Sequence, residues 1–477
     1  MAKIKSIAVA ACVVAAVCLS AFAEEQHTHT DAAGNTVTFE PIDNYDALTN
    51  LFAIGGSGYL TADIAVTRTL SVQADVDLCL NDKVLNLGGN RHIDIRSGVN
   101  FALYDCGTTV RHWEADSTGL WKPSESATDD ITTGGVITGG KGANGGAFNS
   151  QGTFTMYGGN ICGNTSSGYG GGLYVYQGTF TMYDGTISGN TSVDAGGGMS
   201  VRNGSSFTMV NGTISDNTSR KGGGGAFFLS DSDFLMKDGT VSRNFSGIES
   251  MGGGAVYAQY CTNATFTIEK GLFVGNNSGI YAGGALNLRS GNYTIKNITI
   301  SGNTSGTHGG GVYIYKGALT MENATIVDNT AEQLGGGVYA SSAGVLTVKN
   351  CTISGNTAGA GGGIQVHETA KLNIVGDDGN SASITGNAAT AAEGGIANWG
   401  ELHLTGKVVV KDNICTATYG DGINGPVNLS TATPLRIDGD LTGSEIYLTH
   451  ASPVTNKLVS ANHQTKISLR LCTTPAF

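Results

Sequence analysis

Polysaccharide cleavage needs two carboxylates, or a basic residue beside calcium-holding acids, gathered on one face. The acids of this 477-residue chain do not recur in that way. The positions Tyr157, Tyr183, Val210, Lys237, Glu269, Lys296, Glu322 and Lys349 stand in equivalent surroundings, and the last five alternate in sign. Charges ordered like this make a ladder of ion pairs that penalises a slip of register; they do not make a carboxylate dyad. Asp216 and Arg243 form a similar pair, while Asp377, Asp378 and Asp421 fall in turn sequences where Asp is ordinary. The glycine runs are not followed by Gly-Lys-Ser/Thr or a helix, so they are not phosphate loops. No catalytic, cofactor-binding or metal-binding residue is assigned.

Binding chemistry has better candidates. Tyr174, Tyr176, Tyr313, Tyr315 and Tyr339 sit beside glycine turns, where outward rings would offer a stacking surface for sugars. Ordinary cross-strand pairing explains outward tyrosines as well. Thr153 with Thr155, Thr179 with Thr181 and Thr265 with Thr267 resemble rows of ice-binding threonines, but the row fails between Ser232 and Met236. The nine cysteines show no paired motif, which argues against a disulfide framework or a zinc site. His27 and His29 are too few to hold a metal, and Cys351 reads as a core residue. Cys79 and Cys106 stand 27 residues apart, where a bond and two free thiols are both open.

The elements that must position these residues follow from one period. Asparagines at 164, 190, 217, 244, 276, 303, 329, 356, 387 and 413 recur at steps of 26, 27, 27, 32, 27, 26, 27, 31 and 26 residues, which is the signature of a solenoid. Within Gly309 to Asn329, three short alternating runs (Val312 with Ile314, Leu319 with Met321, Ala324 with Ile326) are separated by turn residues, so each period holds three strands. The apolar columns Phe154, Phe180, Phe207, Phe234, then Met156, Met182, Met209, Met236, then Ile161, Ile187, Ile214, Val241, all continue through later periods and make an unbroken core. The fold class is all-β: a right-handed parallel β-helix with three short strands per coil of about 26–27 residues. Ten coils at ~4.8 Å each give a rod of roughly 48 Å. The asparagines read as an inward amide ladder, so sequons such as Asn190-Thr191-Ser192 are structural and closed to glycosylation.

With 74 glycines, 13% charged residues and 40% apolar residues, the chain is turn-rich yet able to bury a long core. A formal charge of −12 without a basic stripe excludes a nucleic-acid partner. Lys3 and Lys5, the apolar stretch from Ile7 to Leu19 and the small-x-small site Ala21-Phe22-Ala23 predict a signal peptide over 1–23, cleaved after Ala23. A lipoprotein reading around Cys12 leaves too short an apolar segment. No later stretch is long and apolar enough for a transmembrane helix in the mature chain. Residues 24–50 read as a polar linker, 51–133 as irregular capping coils ending in a bulged loop with Trp113 and Trp121, 134–430 as the β-helix repeats, and 431–477 as end strands and a tail whose last 27 residues match nothing earlier.

Gly145-Gly146-Ala147-Phe148, Gly253-Gly254-Ala255-Val256 and Gly283-Gly284-Ala285-Leu286, together with Phe273 to Asn276, resemble the paired GGA-[ILV] and F-x-x-N motifs of polymorphic outer membrane protein repeats. The chain is similar to bacterial exported β-helix repeat proteins over roughly residues 50 to 430. Leu78-Cys79-Leu80-Asn81 and Leu103-Tyr104-Asp105-Cys106 resemble the first coils of gut-bacterial surface proteins of this kind. The resemblance implies surface display and adhesion, with outer-membrane association as one form of anchoring. The chain departs from it in having neither a β-barrel's worth of strands after the last coil nor a sortase-type tail.

The sequence therefore predicts a noncatalytic, secreted or cell-surface, adhesin-like protein that binds a glycan or a surface protein, in an oligomeric state that the sequence leaves open. A polysaccharide lyase or glycoside hydrolase on the same fold is the competing reading, and a structural stalk is the third.

Overall fold

The computed structural model describes residues 26–416 except 90, 118–119, 125–129, 248–251 and 378; beyond them it describes the strands 427–429, 435–437, 445–449, 459–460 and 468–472. The predicted signal peptide and its cleavage site after Ala23 lie outside the described residues, as do Asp378 and Asp421.

Alternation dictates which side chains enter the core, and the observed register matches it coil by coil. Phe101, Phe154, Phe180, Phe207, Phe234, Phe266, Tyr293 and Leu319 are successive partners in one 16-stranded parallel sheet. Leu103, Met156, Met182, Met209 and Met236 follow two residues on in the same strands. Ile137, Ile161, Ile187, Ile214 and Val241 line the facing wall. All of these belong to one continuous buried cluster that runs from Ile42 to Val410. The period Gly309 to Asn329 contains the three expected strands, Val312–Tyr315, Ala318–Glu322 and Thr325–Val327, and a two-residue strand, Thr330–Ala331, follows the asparagine.

The asparagine column is an amide ladder inside the turn. All ten side chains, Asn164 through Asn413, are completely buried. From Asn190 onward each Oδ1 accepts from the backbone N–H and the Nδ2 of the asparagine one coil earlier, while Asn164 Oδ1 accepts from the Gly140 N–H; for Asn217 both distances are 3.0 Å. The Asn217 Nδ2 in turn donates to Asn244 Oδ1 at 3.0 Å and to the Ile187 carbonyl at 2.9 Å. Polar groups that the turn would otherwise bury unpaired are thereby satisfied.

Glycine triplets serve close approach. Gly309 adopts φ +64°, and a Cβ on Gly310 would meet the Gly336 carbonyl oxygen and lie 2.6 Å from the Thr330 carbonyl carbon. On the outer face the charge ladder is realised where Glu322 bridges Lys349 at 2.8 Å and Lys296 at 3.4 Å; Arg243 grips Asp216 with two bonds of 2.7 Å. Cys351 packs in the core, fully buried.

Three regions depart from expectation. Residues 24–50 are not a linker as far as they are described. They form an antiparallel hairpin, Thr28–Thr30 with Thr36–Thr38, then the strand Glu40–Ile42 and the helix Tyr45–Ile54. Asn44 caps this helix by accepting from the Ala47 N–H, and Leu48, Leu51 and Phe52 press into the open end of the core. The helix, and not the coils of residues 51–133 by themselves, closes the open end; its apolar positions follow helical spacing. Residues 110–133 are not a simple loop but a three-stranded antiparallel flap, held to the rod by Trp113 against Val136 and Cys162. Nor is the C-terminal tail unrelated to the repeats, because Ser468–Cys472 pairs in parallel with Glu445–Thr449.

Asn217→Ala is expected to lower stability by about 2–4 kcal/mol, since it strands several buried polar groups at about 1–3 kcal/mol each. Denaturant titration and amide exchange in the adjoining coils read this directly; unchanged protection at Asn190 would remove the ladder's stabilising role. The hydrogen bond from Lys349 holds the Glu322 carboxyl below its usual range. Its contribution is therefore present above the ordinary carboxylate pKa and is lost as pH falls through the lowered value. Melting curves of wild type and Glu322→Gln should differ at neutral pH and low salt, and converge in acid or high salt.

Candidate functional site

The five tyrosines leave the core as alternation requires, but their rings are not free. Tyr174, Ser200, Phe228, Tyr257, Asn287, Tyr313 and Tyr339 form one outward column, opposite the inward Leu173 and Val175. The turns entering these strands fold back over them. Tyr169 stacks on Tyr174 and on Phe228, Ala195 packs with Phe228 and Tyr257, and Arg202 lies 4.3 Å above the Tyr169 ring. Arg289 covers Tyr315 at 4.8 Å and donates to the Tyr257 hydroxyl at 3.3 Å. Tyr174, Tyr313 and Tyr339 consequently keep only 9%, 9% and 5% exposure, while Tyr176 and Tyr315 are half-buried. The expected open stacking surface is thus closed into an aromatic and arginine band. Burial pushes the Tyr174, Tyr257 and Tyr339 hydroxyls above their ordinary pKa.

A groove of about 580 Å³ opens where the flap meets the rod. Lys141, Thr165 and Thr191 are register partners on its floor, Ser166, Ser167 and Arg220 add polar groups, and Leu120 of the flap forms a wall. His92 also lines it, with Nε2 3.1 Å from Asp94 Oδ1; that same oxygen accepts from Asn149 Nδ2 at 2.9 Å. Burial raises the Asp94 carboxyl pKa, but the His92 and Asn149 hydrogen bonds and nearby positive charge hold it below the usual range. The other His92 ring nitrogen, Nδ1, is buried without a hydrogen-bond partner. No carboxylate appears among the described lining residues. Of these groove residues only Thr191 was named from the sequence, and then as part of a sequon. The register of Lys141 with the threonine column was legible, but the flap that turns a flat face into a concavity was not.

A second polar cluster lies under the N-terminal hairpin. Alternation in the hairpin sends His27 and His29 to one side, against the outer face of the strand Val76–Cys79. Cys79 Sγ is 3.2 Å from His27 Nε2 and 3.1 Å from His29 Nε2, and the two ring nitrogens are 3.0 Å apart. Cys106 Sγ lies 3.9 Å from His27 Nε2. Cys79 is the register partner of Tyr104, not of Cys106, and both cysteines are free thiols, so the two-thiol alternative is the one observed. The two histidines, by themselves too few to hold a metal, are joined here by two cysteines: one ligand atom from each of the four residues falls within 4.8 Å of all the others. Two weak signals pointed here, a His-x-His pair and two cysteines about one coil apart. Nothing in the sequence connected them. Burial pushes the Cys79 thiol pKa up and lowers those of His27 and His29.

Residues 284–428 match the family model for a right handed beta helix region, which agrees with the stacked parallel coils. No curated protein and no solved structure matched the chain. The protein is thus a β-helix repeat protein, and no helix among its described residues is long and apolar enough to cross a membrane.

Burial pushes the Cys162 thiol up to about 12 and the Cys351 thiol to about 11. At neutral pH both are therefore protonated, besides being buried. N-ethylmaleimide followed by peptide mass mapping should leave both unmodified in the native protein and label both in denaturant. Native labelling of either would show that its coil opens.

Proposed function

We propose that the chain is an exported, noncatalytic, adhesin-like β-helix protein, displayed at the surface or secreted, and that it binds an acidic glycan in the groove beside the flap. The observation that carries this reading is the placement of exposed Lys141 in one concavity with the hydroxyls of Thr165, Ser166, Ser167 and Thr191, and with Arg220 at its edge, in a chain whose net charge is −12. Cationic side chains offer charge-assisted bonds to sugar carboxylates or sulfates, and a row of hydroxyls suits sugar hydroxyls. The open groove replaces the tyrosine face as the binding surface. Of the five tyrosines, Tyr176 and Tyr315 are the two that stay half-buried. Export is supported by the basic, apolar and small-residue pattern that ends at Ala23.

One feature supports the enzymatic alternative. His92 lines the groove with its Nε2 held by Asp94, an imidazole–carboxylate pair of the kind that serves general bases, but its Nδ1 is buried and the ring must turn before it can reach a substrate. In a lyase, such a base would remove the proton beside a uronate carboxylate whose charge a cation neutralises; the electron pair forms the C=C bond as the glycosidic C–O bond breaks, and the departing sugar oxygen takes a proton from water.

Polygalacturonate and heparin, tested by retention and by the absorbance of unsaturated products in the same samples, separate the readings. Binding without product is expected, and Lys141→Glu with Arg220→Glu should weaken it by about tenfold or more, ~1.4 kcal/mol or above. High salt should weaken it as well. Product formation that disappears in His92→Gln would instead establish a lyase, and absence of both binding and product would remove the groove from the function.

A further inference from the structure

We propose that His27, His29, Cys79 and Cys106 form a zinc(II) site that staples the N-terminal hairpin to two successive coils of the rod. The four side chains come from three separate segments: the hairpin, the end of the strand Val76–Cys79, and the turn after the strand Asn100–Tyr104. Two imidazoles and two thiolates are a donor set of structural zinc. Such a set excludes calcium and magnesium, which need oxygen ligands.

The geometry fits. With Zn–S near 2.3 Å and Zn–N near 2.0–2.1 Å, tetrahedral ligand atoms stand roughly 3.3–3.8 Å apart. Four of the six separations, 3.0, 3.1, 3.2 and 3.9 Å, bracket this range, and the two from Cys106 to Cys79 and His29 lie within 4.8 Å, so movement of Cys106 by about an ångström or less completes the site. A divalent cation takes up the lone pairs of all four atoms at once. Protons can link only three of them, His27 Nε2, His29 Nε2 and Cys79 Sγ, which face one another within 3.2 Å, and leave Cys106 outside that triad at 3.9 Å.

The surroundings hold the ligands in place. Tyr59 stacks on the His27 ring at 4.3 Å with an interplanar angle of 7°, and Phe39 meets both histidine rings edge-on. Tyr104 lies 5.2 Å from His29, and the bond that the Cys106 thiol donates to Asn81 Oδ1 at 3.4 Å is given up when that thiol becomes a thiolate. Packing of this kind orients first ligands around metals. Four protein ligands leave no open position, so the site is structural and not a reaction centre.

A staple has a clear mechanical use here. The hairpin pairs only with itself as a sheet, and it meets the rod through packing on Tyr59, Tyr104 and Tyr157 and through the bond from Ala32 N–H to the Tyr157 hydroxyl. Zinc would link positions 50 to 79 residues apart and fix the start of the chain on the flank of the rod.

The full chain, reduced and stripped of metal with a chelator, is titrated with cobalt(II) and then zinc(II). One cobalt per chain is expected, with a thiolate charge-transfer band and the intense visible bands of a tetrahedral ion, both abolished by zinc. Cys106→Ser and His29→Gln, checked for retained β-structure by circular dichroism, should weaken the band and lower zinc affinity by more than the roughly 10–100-fold seen for changes outside the ligand set. Hydrogen exchange should slow in residues 27–39 of the wild type on adding zinc. Absence of the cobalt band in the reduced wild type, or equal zinc binding by wild type and both variants, overturns the proposal. So does metal-free protein, isolated without reductant, in which mass spectrometry finds Cys79 bonded to Cys106.

Discussion

The spacing between one coil and the next governs this molecule. Parallel backbone pairing sets each residue beside its counterpart one period away, at about 4.8 Å, too close for any mismatch in size or charge to be ignored. Residues that gain from meeting their own kind therefore form columns: phenylalanines and methionines inside, asparagines in the turn. Residues that lose by it alternate, as Lys296, Glu322 and Lys349 do. The glycine triplets answer the same constraint, because a Cβ at Gly310 would collide with the backbone of the following coil. The asparagine ladder is its strictest expression, since each amide from Asn164 to Asn387 donates to the asparagine of the next coil.

A rod assembled in this way has two weak points, its open end and its flat outer faces. At the N-terminal end, Leu48, Leu51 and Phe52 of a short capped helix cover core residues that the first coil would leave wet, and Phe52 meets Phe101 edge-on. Along the sides, insertions provide what the repeat does not. The flap between residues 110 and 133 raises a wall beside the coil surface, and the hairpin covers the column of Tyr59, Cys79 and Tyr104. The groove and the His–Cys cluster both occur where one of these additions meets the repeat. The regular coils are scaffold, and chemically distinctive groups collect where regularity is interrupted.

That division bears on what the protein does. Stacked coils suit both binding proteins and polysaccharide-cleaving enzymes. The deciding features are local: cations and hydroxyls in the groove, and a histidine with its carboxylate partner at the edge. The tyrosines, which looked like the natural binding surface, are largely occupied by arginine and by one another.

Periodicity alone determined the solenoid, the three-strand coil, the core columns, the amide ladder and the sign-alternating ladder, because each depends only on which residue lies one period away. The capping helix was also written in the sequence, in Asn44 and the helical spacing of Leu48, Leu51 and Phe52, but its short length hid it among polar neighbours. Only the tertiary structure decided what covers the outer faces. Alternation states that Tyr174 leaves the core, not that Tyr169 and Arg202 fold back toward it; it sends His27 and His29 to one side of a hairpin, not to Cys79. Contacts inside a repeat follow from a fixed chain separation. Those between an insertion and a repeat depend on where a turn directs the chain, and no periodic signal encodes that direction.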